Sequence, residues 1–491
     1  MSKRPHIVIF NPDQWRGEAL GHLGHPAAVT PNLDRVVETD GVSFSRSFCQ
    51  NPVCTPSRCS FMTGWYPHVR GHRTMFHMLR PDEPVLLKTL KENGYFVWWG
   101  GKNDLVPGQN GPDDYCDVYY RPERKPDAMW RIDESAEWRG QPGDESFFSF
   151  YVGELPTGED GIYYDGDWAN VQGAVDLIRD PPTDDPLCIF LPLTYPHPPY
   201  GVEEPWYSMI DREAVPDRVP TPENWDDKPG ILKGIWQEQG LGGFSEERWR
   251  ELRATYYGMC ARVDHQFGMV VDALKEAGIY DDTAVFFFAD HGDFTGDYGL
   301  VEKTQNTFED CLSRVPFVIK PPSSVDVRPG VRDALVELVD FPATVEHLTG
   351  IEPGHTHFGR SLVPLMEGEN DRHRDAVFCE GGRLKGETHC MELESNQDPH
   401  GLYWPRLKWQ REEGPEHTKA VMCRTQTHKY VRRLYEKDEL YDLREDPEEL
   451  MNVVQDPDYA DVLSELKDRL LTFYLETASV VPHDTDRRGF G

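Results

Sequence analysis

Short runs of apolar residues, each closed by a polar or small residue, recur along the chain. They are Ile7–Phe10, Tyr95–Trp99, Cys188–Leu193, Ala284–Ala289 and Pro316–Ile319. Such runs, apolar without alternation, predict strands buried on both faces, as in a parallel sheet. Between them lie stretches with helical spacing. Leu86–Asn93 reads as a helix closed by Gly94, and Glu247–Ala277 as a long amphipathic one closed by Gly278. Arg332–Leu348 reads as a third, with Leu335, Leu338, Val339 and Val345 as its apolar positions. Strands alternating with helices predict a doubly wound, mostly parallel α/β sheet.

Two stretches rich in Pro, Gly, Trp and acids, Pro107–Asp160 and Tyr200–Gly243, read as long loops over the sheet edge. Near Asn370 the pattern changes to short mixed segments, including Ala376–Glu380, Lys429–Leu434 and Leu440–Leu443. The expected division is therefore a catalytic domain over 1–370 and a smaller C-terminal α+β subdomain, with a small antiparallel sheet, over 371–491.

Open parallel sheets bind ligands beyond the carboxyl ends of their strands. Asp13 follows the first apolar run, Lys102 the second, His197 the third and Asp290-His291 the fourth. Four polar signals at one predicted edge mark a site.

Composition narrows the function. The chain has 491 residues, 38% hydrophobic and 12% aromatic, with a formal charge of −34. It has the apolar content for a large core, and its charge repels nucleic acid and anionic membrane. An anionic substrate needs a local cluster of cations. No run approaches the roughly 20 apolar residues that span a bilayer. No signal-like segment precedes His6, so the expected location is the cytoplasm. Ten cysteines in so long a chain do not read as a disulfide framework. The even spacing of Cys49, Cys54 and Cys59 lacks the close Cys-x-x-Cys pairs of a zinc knuckle.

The densest chemistry is Cys54-Thr55-Pro56-Ser57-Arg58, followed by Cys59-Ser60-Phe61-Met62-Thr63-Gly64-Trp65-Tyr66-Pro67-His68. Proline two residues after Cys54 suits the first turn of a helix, whose positive end favours an anion. Arg58 lies one turn along. The spacing fits an activated nucleophile beside an anion site, and equally a buried cysteine with a surface arginine.

This segment resembles the signature of the sulfatase family of the alkaline-phosphatase superfamily, Cys-x-Pro-Ser-Arg followed by Leu-Thr-Gly-x-Tyr-Pro. The likeness extends to Thr30-Pro31-Asn32-Leu33-Asp34, to Asp290-His291-Gly292 with Gly296-Asp297-Tyr298-Gly299-Leu300 and Lys303, and to Val315-Pro316-Phe317. It continues through Val339–Thr344 and Leu440-Tyr441-Asp442-Leu443. The resemblance implies an alkaline-phosphatase-like fold and hydrolysis of a sulfate ester. It implies that Cys54 is oxidised to formylglycine by a maturation enzyme, the hydrate then serving as nucleophile. It also implies a divalent metal, Ca²⁺ first and Mg²⁺ or Mn²⁺ as alternatives, held by Asp13, Gln14, Cys54, Asp290 and His291. Arg58, Lys102, His197 and Lys303 would surround the sulfate, Asp290 would take a proton from the attacking hydroxyl, and His197 or Lys303 would protonate the leaving alcohol. The expected substrate is a small-molecule or saccharide sulfate ester, and a homo-oligomer is compatible with this reading. One departure stands out: the family often has Gly-Lys-x-His-Leu-Gly, where this chain has Gly101-Lys102-Asn103-Asp104-Leu105. Asp104 in the histidine position keeps a phosphonate monoester hydrolase, which also lacks that histidine, as a rival. A degenerate sulfatase-like binding protein and an enzyme using the plain Cys54 thiol are the others.

Overall fold

All five apolar runs form strands. The computed structural model describes residues 4–123, 137–159, 161–392, 398–412, 414–483 and 485–489. Its strands are β1 (His6–Asp13), β2 (Val42–Phe48), β3 (Phe96–Gly100), β4 (Val118–Tyr120), β5 (Tyr151–Glu154), β6 (Leu187–Pro196), β7 (Tyr200–Val202), β8 (Thr283–Phe288), β9 (Arg314–Val315), β10 (Phe317–Lys320) and β11 (Gly330–Glu337). The large sheet runs β11-β2-β10-β8-β1-β6-β3-β4, with β9 paired to β2. β1 lies at its centre, parallel to β6 and β8, which is why Ile7–Phe10 needs no polar face.

Two readings change. Pro316–Ile319 becomes β10, antiparallel to both β8 and β2. The chain leaves β8 at its carboxyl end, loops over that edge and re-enters from the same side, so no crossover helix turns it back to parallel. Arg332–Leu348 is not one helix. Its first half is β11, parallel to β2, and a helix begins only at Asp340–Thr349. Asp340 accepts the Glu337 N–H at 3.0 Å, fixing the turn between them.

The predicted long helix is Glu246–Glu276, capped by Ser245. Its Phe267 packs edge-on against Phe10 and Phe287 at 5.5 and 5.4 Å. A fully buried phenylalanine contributes about 1.5–3 kcal/mol, so this contact fastens the helix to the central strands. Asp264, on the same helix, accepts the Asn32 and Leu33 N–H groups and so caps the helix Pro31–Thr39.

Tyr200–Gly243 is less of a loop than its composition predicts. It holds β7, a turn of helix at Trp206–Met209 and the helix Gly230–Gln239. Ile231, Leu232 and Ile235 pack there with Phe294, Leu300 and Leu312, an apolar stripe hidden by flanking Pro and Gly. The other predicted loop, Pro107–Asp160, carries β4 and β5, and its residues 124–136 and 160 lie outside the described residues.

Near the C-terminus β12 (Val377–Gly381), β13 (Ala420–Arg424), β14 (His428–Arg433) and β15 (Glu439–Asp442) form an antiparallel sheet. The helix Ala460–Thr477 covers it, stacking Phe473 on Phe378 at 3.9 Å. Among the described residues, no helix is long and apolar enough to cross a membrane.

Candidate active site

The carboxyl edge of the large sheet gathers the predicted residues. β1 ends on Asp13, and Gln14 then adopts a left-handed backbone, φ 69°, which a residue with a side chain rarely does. That turn aims the Gln14 N–H at Asp290 Oδ1, 3.1 Å away. Cys54 is the first residue of the buried helix Cys54–Thr63, and Arg58 follows one turn later.

Asp13, Cys54, Asp290 and His291 converge, with ligand atoms all within 4.8 Å of one another, and all four are buried. Cys54 Sγ lies 3.2 Å from His291 Nε2 and 3.5 Å from Asp13 Oδ1. The carboxylates divide their oxygens. Arg58 Nε donates to Asp290 Oδ2 at 2.9 Å, and its Nη2 to Asp13 Oδ2 at 3.2 Å. Lys102 Nζ also reaches Asp13 Oδ2, at 2.5 Å. His291 donates from Nδ1 to the Gly292 carbonyl at 2.9 Å, which leaves Nε2 as the lone-pair nitrogen beside Cys54. Two carboxylates and an imidazole lone pair around one buried point fit a divalent cation, and the oxygen-rich set suits a hard one. Gln14, the fifth residue expected to hold metal, lies beside this cluster with partners of its own. Its Oε1 accepts from Lys303 Nζ at 2.7 Å, and its Nε2 donates to Asp293 Oδ2 at 2.5 Å.

Beside this cluster lies a cationic half. Lys102 Nζ stands 3.7 Å from Cys54 Sγ and 2.8 Å from Asp104 Oδ2. The residue in place of the family histidine is thus bound to a site lysine. Lys303 Nζ meets His197 Nε2 at 3.0 Å and Glu302 Oε1 at 2.8 Å. His197 Nδ1 is 2.6 Å from the Pro198 carbonyl, so Nδ1 donates there and Nε2 accepts from Lys303. Burial, reinforced by Lys303, holds the His197 imidazole well below its ordinary range, and it stands neutral. Burial works against the charge on Lys303, but Glu302 and Asp13 outweigh it and hold the ammonium above its ordinary range. Burial works against ionisation of Asp13 too, but Lys102 and Arg58 outweigh it and keep Asp13 a carboxylate.

Above these groups opens a cleft of about 1080 Å³ whose lining includes Cys54, Lys102, His197 and Lys303. Its walls bring in residues that sequence reasoning did not single out: Tyr119 from β4, Tyr163 from the segment before the helix Gly166–Arg179, and Glu392, Tyr403 and Arg406 from the C-terminal part. Asp293 was missed as well; it accepts from Tyr200, Thr295 and Gln14, and burial raises its carboxyl to about 6. Its place three residues after Asp290 was the only signal available.

A helix start carrying Cys54, a buried cluster that could hold a metal and a ring of cations at the carboxyl edge of this sheet fit an alkaline-phosphatase-like hydrolase. A family model described as Sulfatase matches residues 5–351, and the chain belongs to the sulfatase family, the sulfuric ester hydrolases. A second model, N-sulphoglucosamine sulphohydrolase, C-terminal, matches residues 382–475. The chain is 24% identical over 496 residues to an arylsulfatase of Clostridium perfringens, covering 95% of this chain and 94% of that protein. It is 27% identical over 388 residues to Arylsulfatase K of Danio rerio, covering 74% and 68%. Among solved structures, the phosphonate monoester hydrolase of Agrobacterium radiobacter superposes with a TM-score of 0.74 at 23% identity, over 98% of this chain and 100% of that one. A 2-O GAG sulfatase does so with a TM-score of 0.71 at 22% identity, over 97% and 93%. At these identities the solved structures establish the fold.

Proposed function

We propose that the chain cleaves sulfate monoesters with a formylglycine made from Cys54 and a divalent cation, Ca²⁺ in the first instance, held by Asp13, Asp290 and His291 beside residue 54. The observation that carries this reading is the position of Cys54. It starts a buried helix, shares one ligand cluster with Asp13, Asp290 and His291, and opens into a cleft that Lys102, His197 and Lys303 also line. Once in place, the cation would supply Lewis acidity and the formylglycine hydrate the attacking hydroxyl.

The chain's own residues do the rest. Lys102 and Lys303 bind the sulfate oxygens and stabilise the charge that builds on them. Arg58 fixes both carboxylates of the metal cluster. In this geometry the proton for the leaving alkoxide sits on Lys303, because His197 Nε2 accepts rather than donates. His197 orients Lys303 by accepting from it, and Lys303, once it has given its proton to the departing alkoxide, is reprotonated from solvent. Asp290 is a poor general base here. Oδ1 already accepts from the Gln14 and His291 N–H groups, and Oδ2 from Arg58.

Sulfated saccharides are the substrate class favoured by the tyrosine-rich cleft, and one similar solved structure is described in complex with D-glucosamine-2-N,6-O-disulfate. Cytoplasmic residence is part of the proposal, supported by ten unpaired, buried cysteines. The test is the mass of the Cys54 peptide together with turnover of an aryl sulfate. Conversion to the aldehyde and loss of turnover in Cys54→Ala are expected, as is loss of activity on chelation with recovery on adding Ca²⁺. A plain thiol in active native protein would sink the reading. Faster turnover of a phosphonate monoester than of the matching sulfate would favour the rival.

A further inference from the structure

The cleft is far larger than a sulfate group and falls at the upper end of small-molecule sites, about 300–1,000 Å³. The scissile sulfate occupies its floor, so the walls read the alcohol portion. One wall comes from the C-terminal part of the chain, where Arg406 stands on the helix Trp404–Arg411. Arg406 is only 8% exposed, yet it lines the cleft. Its Nε and Nη1 meet no hydrogen-bond acceptor among the described residues. The nearest carboxylates are Glu302, 3.6 Å from Nη1, and Glu392, 3.8 Å from Nη2. These distances exceed a hydrogen bond. The two acids balance the charge of the guanidinium and leave its fork of donors unmatched. A buried guanidinium in that state is costly unless an acceptor arrives from the cleft.

The fork suits a planar carboxylate or a pair of sulfate oxygens, which it can bind through two parallel N–H donors. Glu302 joins this place to the chemistry, since its other oxygen holds Lys303 at 2.8 Å. The group that reaches Arg406 therefore lies on the leaving-alcohol side of the reacting ester. Tyr119, Tyr163 and Tyr403 line the same cleft and bring aromatic surface of the kind that packs against a sugar.

Building on the sulfatase reading, we propose that Arg406 binds a second anionic group on the substrate, so that the preferred substrate is a saccharide sulfate carrying a carboxylate or a further sulfate beside the ester that is cleaved. The competing role is indirect: Arg406 could act only as a counter-ion that holds Glu302, and through it Lys303. That role would lower turnover of every substrate alike.

The test uses the full chain with its formylglycine verified by mass, and three sulfated sugars sharing the same ester. One is otherwise neutral, one bears a uronate carboxylate, and one bears a second sulfate. The wild-type protein is expected to prefer one of the anionic sugars, and that arm identifies the group. In Arg406→Gln the ratio of kcat/KM for that sugar to kcat/KM for the neutral sugar should fall about 30-fold, the worth of a charge-assisted contact, mostly through KM. Arg406→Lys, which keeps the charge and loses the fork, should retain part of the preference. A wild type indifferent to the second anion, or a variant that loses turnover equally on all three sugars, overturns the proposal while leaving the sulfatase reading intact. If verified formylglycine protein cleaves no sulfate ester at all, the sulfatase reading fails and this proposal falls with it.

Discussion

At the scale of single residues, Cys54 shows how position and environment can pull in opposite directions. A helix start favours a thiolate. Complete burial, and then the neighbouring Asp13 carboxylate, push the thiol far above its ordinary range despite Lys102 and Lys303. His291 lies 3.2 Å away, the partner that was not visible in sequence, but its other nitrogen donates to a backbone carbonyl instead of an acid. The unmodified residue is therefore a poor nucleophile. Iodoacetamide at pH 8 should leave the Cys54 peptide of unmodified, metal-free native protein unlabelled, and should label it fully in denaturant; rapid native labelling would revive the thiol-enzyme reading. Asp13, Lys102 and Asp290 were legible because each directly follows an apolar run that could only be a buried strand. Arg406 and Glu392 were not, because nothing local in the sequence says that the C-terminal part of the chain turns back over Cys54.

At the scale of elements, strand existence was legible and strand direction was not. Pro316–Ile319 looks the same whether it runs parallel or antiparallel, since direction is decided by the path of the loop before it. Arg332–Leu348 misled because Leu335, Leu338, Val339 and Val345 fit a helical stripe, while Leu335 and Val336 in fact pair along β2. The loop carrying Lys303 owes its shape to the C-terminal part of the chain. Asn306 Nδ2 donates to the Glu416 and Thr418 carbonyls, and Arg433 and Lys429 donate to the carbonyls of Asn306 and Phe308. Gly381, at the end of β12, is the closest approach: a Cβ there would lie 1.6 Å from the Gln305 carbonyl oxygen. Gly381→Ala should thus displace a segment two residues from Lys303. The expected cost is about 1–3 kcal/mol in denaturant unfolding, typical of overpacking, with a clear fall in kcat. Gly354→Ala, where a Cβ meets nothing within 4 Å, should change stability by less than about 0.5 kcal/mol and leave kcat alone.

At the scale of the whole molecule, the junction between the two sheets buries a titrating group whose effect is hidden in the bulk. His417 Nε2 donates to Gln305 Oε1 at 2.7 Å, an oxygen that Gln410 also holds at 2.7 Å, while His417 Nδ1 has no partner among the described residues. Burial, with Arg383 and Arg406 nearby, lowers this imidazole to about 3. The native state keeps it neutral, whereas the unfolded chain takes up a proton below roughly 6.5. Its contribution to stability is complete above that value and is lost as pH falls toward 3. Asp167 and Asp264, raised to about 6, and Glu449, raised to about 7, act with the opposite sign: the native state keeps their protons, so they favour folding as pH falls through the same window. The total profile between pH 6.5 and 5 should therefore be shallow, and only a difference isolates His417. The stability gap between wild type and His417→Gln, measured by denaturant unfolding, should shift by about 2 kcal/mol against the wild type between pH 6.5 and pH 5. A gap that stays constant would mean that His417 is charged or wet in the native state, and that the C-terminal sheet does not seal the Lys303 loop.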